Sequence, residues 1–73
     1  MARNDVSMVR YKLILALADS KMRIAEAARK LGMHHTTALY HIRFIKAVTG
    51  KDPTDFYDLG DLVRMAREAL CNG

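Results

Sequence analysis

The stretch Ile24–Gly50, IAEAARKLGMHHTTALYHIRFIKAVTG, decides the fold, because its small and apolar residues fall where two helices joined by a tight turn require them. The first part predicts a short helix over Ile24 to Lys30, with Ile24, Ala27, Ala28 and Leu31 on its inner side. A large side chain at the crossing point of two close helices would force them apart, and Ala28 avoids this. Four residues on, the chain must turn through positive φ, which Gly32 adopts without steric cost. Met33 then supplies an apolar plug beneath the turn.

The remainder of the stretch predicts a longer helix from about His35 to Thr49. Ala38, Ile42, Ile45 and Thr49 cluster on one side, flanked by His41 and Val48, while Thr36, Tyr40, Arg43 and Ala47 cluster opposite; Leu39 and Phe44 sit on the borders. Ala28 and Gly32 alone suit any tight helical hairpin, but the whole pattern is that of a helix-turn-helix.

Outside this core two further helices are expected. The first runs from about Asp5 to Ala18 and is apolar on two sides, with Met8, Tyr11, Leu15 and Ala18 on one and Val9, Leu13, Ile14 and Leu17 on the other. One side serves the domain; the second suggests another copy or a neighbouring domain. Asp19 and Ser20 make a polar break. After Gly50, Pro53 suits a first helical position. The last helix, about Asp58 to Cys71, carries Leu59, Leu62, Val63, Ala66, Ala69 and Leu70 as its apolar stripe and Gly60 as a weak spot. Its outer face holds Asp61, Arg64, Arg67 and Glu68, with Arg64 and Glu68 spaced as a helical ion pair. The expected fold is all-α, a small four-helix domain spanning residues 1–73.

Composition agrees. A chain of 73 residues has room for one domain, and at that size about 60% of the unfolded surface is buried, so partner surface would help. Half the residues are apolar, with five aromatics and no tryptophan, which is helical-bundle material. The single cysteine, Cys71, forms no internal disulfide, and no Lys/Arg-led apolar leader opens the chain, which makes the cytoplasm the default. The longest apolar run, Leu13 to Ala18, is six residues, against roughly 20 for a membrane span.

The net charge of +4 is unevenly spread. Residues 21–51 carry seven basic and one acidic side chain, residues 52–73 two basic and five acidic. A basic segment beside an acidic one suits a polyanion-facing surface, although a solvated helical face gives the same pattern. On the longer helix Arg43 suits a phosphate or guanine, Thr36 a phosphate or base, Tyr40 the backbone, and Leu39 a thymine methyl. The first turn, with His34, His35, Thr36 and Thr37, offers backbone amides to a phosphate.

The segment Leu31–Gly50 resembles the C-terminal helix-turn-helix of the PucR-type regulators, the purine-catabolism and sugar-diacid transcription activators. The residues that carry the likeness are Leu31, His34, Thr37, Tyr40, Ile42, Ile45, Val48, Thr49 and Gly50, at the family spacing without a gap. Ala27-Ala28 and Leu31-Gly32 are also similar to the Fis-type DNA-binding helix pair. The likeness extends from Ile24 to roughly Ala69 and weakens after Gly50. It implies a DNA-binding module of the kind found at the end of longer regulators, and therefore either a stand-alone binder or a fragment. His41 and Leu39 stand where the family favours basic residues, so this helix presents less positive charge.

Chemistry of other kinds is not indicated. His34 and His41 lie seven apart, but zinc takes three or four ligands, and Cys71 is the only other soft donor. His34 reads as a turn or phosphate-contacting residue and His41 as a boundary residue. No triad, paired carboxylates or phosphate-binding glycine loop is present, so no catalysis, cofactor or small-molecule ligand is expected. Two functions follow. One is a sequence-specific, dimeric regulator binding double-stranded DNA through the helix from His35, with Lys21, Arg23, Arg29, Lys30 and Lys46 on phosphates. The other is a protein-interaction module that uses the first and fourth helices.

Overall fold

A computed structural model describes residues 8–72 of the chain. The described residues form four helices, α1 (Met8–Asp19), α2 (Ile24–Lys30), α3 (His35–Thr49) and α4 (Phe56–Asn72), with no strand among them. The expected start of the first helix, Asp5 to Ser7, lies outside the described residues.

The break after α1 is built by backbone chemistry. The Met22 amide donates to the Leu17 carbonyl (2.8 Å) and the Lys21 amide to the Ala18 carbonyl (3.3 Å), the paired bonds of a Schellman cap. Lys21 occupies the left-handed position usually held by glycine, at φ 56°, and Met22 follows at φ 67°. Ser20 is buried there, and its hydroxyl has no hydrogen-bond partner among the described residues.

The structure differs from expectation at the start of α4. Pro53 is not a first helical residue; it is a buried member of the turn closed by the Asp55 amide on the Asp52 carbonyl (3.0 Å). Asp55 then caps the helix, its carboxylate accepting from the Asp58 amide (3.0 Å), so α4 begins at Phe56, two residues before Asp58. Asp58 in turn accepts from the Asp52 amide (3.0 Å).

The core takes Leu13, Ile14, Ala16 and Leu17 from α1, Ala27 and Ala28 from α2, Ala38, Ile42 and Ile45 from α3, and Leu59, Leu62 and Ala66 from α4. The helix α1 packs against all three others, most extensively against α4, and α2 packs against α3. This central position explains why α1 is apolar on two sides: Tyr11 and Leu15 also pack on the core, and most of its surplus is covered within the same chain. Met8 and Val9 stay exposed. On α4 the outer face differs in one detail. Asp61 pairs with Lys51 (3.2 Å), and among the described residues no ion pair joins Arg64 to Glu68.

Candidate nucleic-acid interface

The turn between α2 and α3 fixes how α3 is presented. Gly32 stands at φ 69°, its amide donating to the Arg29 carbonyl (3.1 Å), while the Met33 amide donates to the Ala28 carbonyl (2.9 Å). These are the two bonds of a Schellman cap, and Met33 packs on the core as its apolar plug. The buried residues of α2 are Ala27 and Ala28 alone, so the helix that packs on α3 presents methyl groups there.

His34 is the N-cap of α3, and its Nδ1 accepts from the Thr36 amide (3.2 Å). One first-turn amide expected to face a phosphate is therefore already engaged by a side chain; those of His35 and Thr37 remain open, since nothing precedes them in the helix. At the other end Gly50 caps α3 in the left-handed conformation at φ 75°. The Thr49 hydroxyl donates to the Ile45 carbonyl (2.7 Å) and accepts from the Lys51 amide (3.1 Å), which ties the exit of the helix to its last turn.

Between these caps α3 divides as its periodicity predicts, except that Val48, expected beside the inner set, is exposed. Ala38, Ile42 and Ile45 are buried, whereas His35, Thr36, Thr37, Tyr40, Arg43, Lys46 and Ala47 are exposed and Leu39 is half-buried. Tyr40 is 61% exposed, so both ring and hydroxyl are available.

The cations named from the sequence fall into two groups. Arg29 pairs with Glu26 (2.6 Å) and Lys46 with Asp52 (3.7 Å). Lys21, Arg23, Lys30 and Arg43 are exposed and have no ion-pair partner among the described residues. Exposed pairs contribute about 0–1 kcal/mol, so Arg29 and Lys46 can exchange a carboxylate for a phosphate at little cost. Asp52 is further engaged by the Thr54 hydroxyl (2.6 Å) and amide (2.9 Å), which together with Lys46 hold its carboxyl below the usual value.

Sequence reasoning missed Arg10. Its Nε donates to Nδ1 of His41 (2.9 Å), and its guanidinium carbon lies 3.6 Å from the centroid of the Phe44 ring and 6.0 Å from that of Tyr40. Burial, and then the Arg10 charge, lower the His41 pKa. The contact spans 31 residues, so no local pattern announces it; the clue in the sequence is only that the basic residue expected at position 41 is missing. Among the described residues no three His, Cys, Asp or Glu side chains are grouped to hold a metal ion. No described helix is long and apolar enough to cross a membrane.

The chain belongs to the family of the PucR C-terminal helix-turn-helix domain, which it matches over residues 11–66. That match covers most of α1, both helices of the motif and the first part of α4, and so reaches further toward the N-terminus than the likeness read from Ile24 onward. The family is one of DNA-binding domains of transcription regulators and not a catalytic one. No curated protein and no solved structure matches the chain.

Proposed function

We propose that the chain is a sequence-specific DNA-binding protein, a small dimeric transcriptional regulator acting in the cytoplasm, that places α3 in the major groove. The observation that carries this reading is the exposed arc Thr36, Tyr40 and Arg43, set opposite the buried Ala38, Ile42 and Ile45. In this reading Arg43 and Thr36 reach base edges or phosphate, Leu39 meets a thymine methyl and Tyr40 reaches the backbone. The first turn of α3, from the His34 cap through His35 and Thr37, lies against a phosphate. Lys21, Arg23 and Lys30 neutralise further phosphates directly, and Arg29 and Lys46 do so by exchange with Glu26 and Asp52.

Dimerisation through α4 and the end of α1 is part of the proposal. Phe56 and Tyr57 are 70% and 81% exposed, and together with Ala18, Met22, Leu59, Gly60, Val63 and the side of Lys21 they line an open cavity of about 610 Å³. A largely apolar groove walled by two exposed aromatics suits a two-fold contact in which the aromatics of each copy pack on those of the other. Two copies would then bring their α3 helices to half-sites about 34 Å apart. The same face favours a second reading, a protein-interaction module using α1 and α4. Selection of bound sequences from random duplex DNA at two salt concentrations tests the first reading: enriched paired half-sites support it. Failure to enrich any sequence, with a Tyr57→Asp variant that loses a protein partner, supports the second.

A further inference from the structure

We propose that Arg10, on the first turn of α1, is a phosphate-contacting residue that grips the DNA strand running along the His41/Phe44 flank of α3. This rests on the reading of α3 as the groove helix. A helix about 10–12 Å across lying in a groove about 12 Å wide has a sugar–phosphate strand along each flank. The cations Lys21, Arg23 and Lys30 come from the α1–α2 turn and α2. Arg10 arrives from the opposite end of α1 and meets α3 at His41 and Phe44, with the ring of the exposed Tyr40 at 6.0 Å.

The side chain is held in the form a phosphate needs. Its flat face is stacked on Phe44, which fixes the plane of the guanidinium, and Nε is spent on His41 Nδ1. The two Nη groups make no hydrogen bond to a described residue, and no described carboxylate pairs with them. A planar fork of donors with one edge anchored and the other without a partner among the described residues suits a bidentate phosphate contact. The acceptor is stable in this role, because a His41 that resists protonation keeps Nδ1 free to receive Nε–H. Positive charge that α3 lacks at position 41 is thus supplied from α1.

A purely structural role, tying α1 to α3, uses the same contacts, and the dependence of DNA binding on salt separates the two. The test is fluorescence anisotropy of a mixed-sequence duplex of about 20 base pairs with the full chain as wild type, Arg10→Gln, Arg10→Lys and Arg43→Glu, over about 50–200 mM salt. Arg10→Gln is expected to flatten the slope of log affinity against log salt by about 0.9, so that its deficit relative to wild type shrinks roughly 3.5-fold across that range. Arg10→Lys keeps the slope. An unchanged slope for a folded Arg10→Gln, with Arg43→Glu still weakening binding, overturns the role of Arg10 and leaves that of α3 standing. If Arg43→Glu is also without effect, the groove-helix reading fails as well. Independently of any variant, the Arg10 side-chain resonances of the wild-type protein shift when the duplex is added; their constancy overturns the proposal.

Discussion

Replacing Lys21 by glycine should make the domain more stable and its DNA binding weaker, and the two effects have separate origins. Lys21 closes α1 at φ 56°, in the left-handed position of a Schellman cap, whereas the equivalent position after α2 is Gly32 at φ 69°. A left-handed conformation costs an L-residue roughly 1–2 kcal/mol. Glycine removes that strain but returns about 0.4–1 kcal/mol through the freedom of its unfolded chain. The net gain for Lys21→Gly is about 0.5–1 kcal/mol, which for a domain of this size raises Tm by roughly 2–8 °C. The reciprocal change, Gly32→Ala, introduces a Cβ that meets nothing within 4 Å, so its cost is the backbone conformation alone. It should lose about 1 kcal/mol. Thermal and urea unfolding followed by far-UV circular dichroism measure both. A lowered Tm for Lys21→Gly, or no loss for Gly32→Ala, would refute the paired-cap reasoning. On DNA, Lys21→Gly removes one proposed phosphate contact, and the salt slope should flatten by about 0.9 despite the gain in stability.

Other expectations are as direct. Ala28→Leu, at a buried site on the helix that packs on α3, should destabilise by about 1–3 kcal/mol in urea unfolding; a neutral result would mean that the helices do not approach through this methyl group. Ser20→Ala removes a buried hydroxyl without a partner among the described residues and should raise stability by about 1 kcal/mol, and a loss instead would reveal a hydrogen bond at that site. Arg43→Ala should cost about 1–3 kcal/mol of binding, unequally across sequences if Arg43 reads a base; equal loss on every duplex assigns it to phosphate. His41 has a lowered pKa in the folded state, so the unfolded chain takes up its proton more readily. Its contribution is complete above the ordinary value of 6.5 and is lost as pH falls from there toward the folded pKa. Between about pH 7.5 and about pH 5.5 the wild type should therefore lose more stability than His41→Gln; equal losses would place His41 in water.

The helices of the motif were legible because their signals are local. His35–Thr49 follows from the spacing of Ala38, Ile42 and Ile45 and from Gly50 as a terminator, and Gly32 announces its own turn. The start of α4 was less so: Pro53 suits both a first helical turn and a preceding loop, and the deciding contacts, Asp55 on the Asp58 amide and Asp58 on the Asp52 amide, are made by side chains whose targets the sequence does not name. The two apolar sides of α1 were visible, but not what covers them, because that depends on α1 lying between α4 and the α2–α3 pair. Charge counts likewise did not reveal that Arg29 and Lys46 are paired with carboxylates. Arg10 was beyond reach for the same reason, since its partner His41 lies on α3, 31 residues further along the chain.

The central claim, that α3 and the surrounding cations grip duplex DNA, meets its most direct test in the salt dependence of binding. With Lys21, Arg23, Lys30 and Arg10 each on a phosphate directly and Arg29 and Lys46 by exchange, the wild-type slope of log affinity against log salt should be about −5.4, from roughly −0.9 per contact. A slope close to zero, or no binding at low salt, would contradict it.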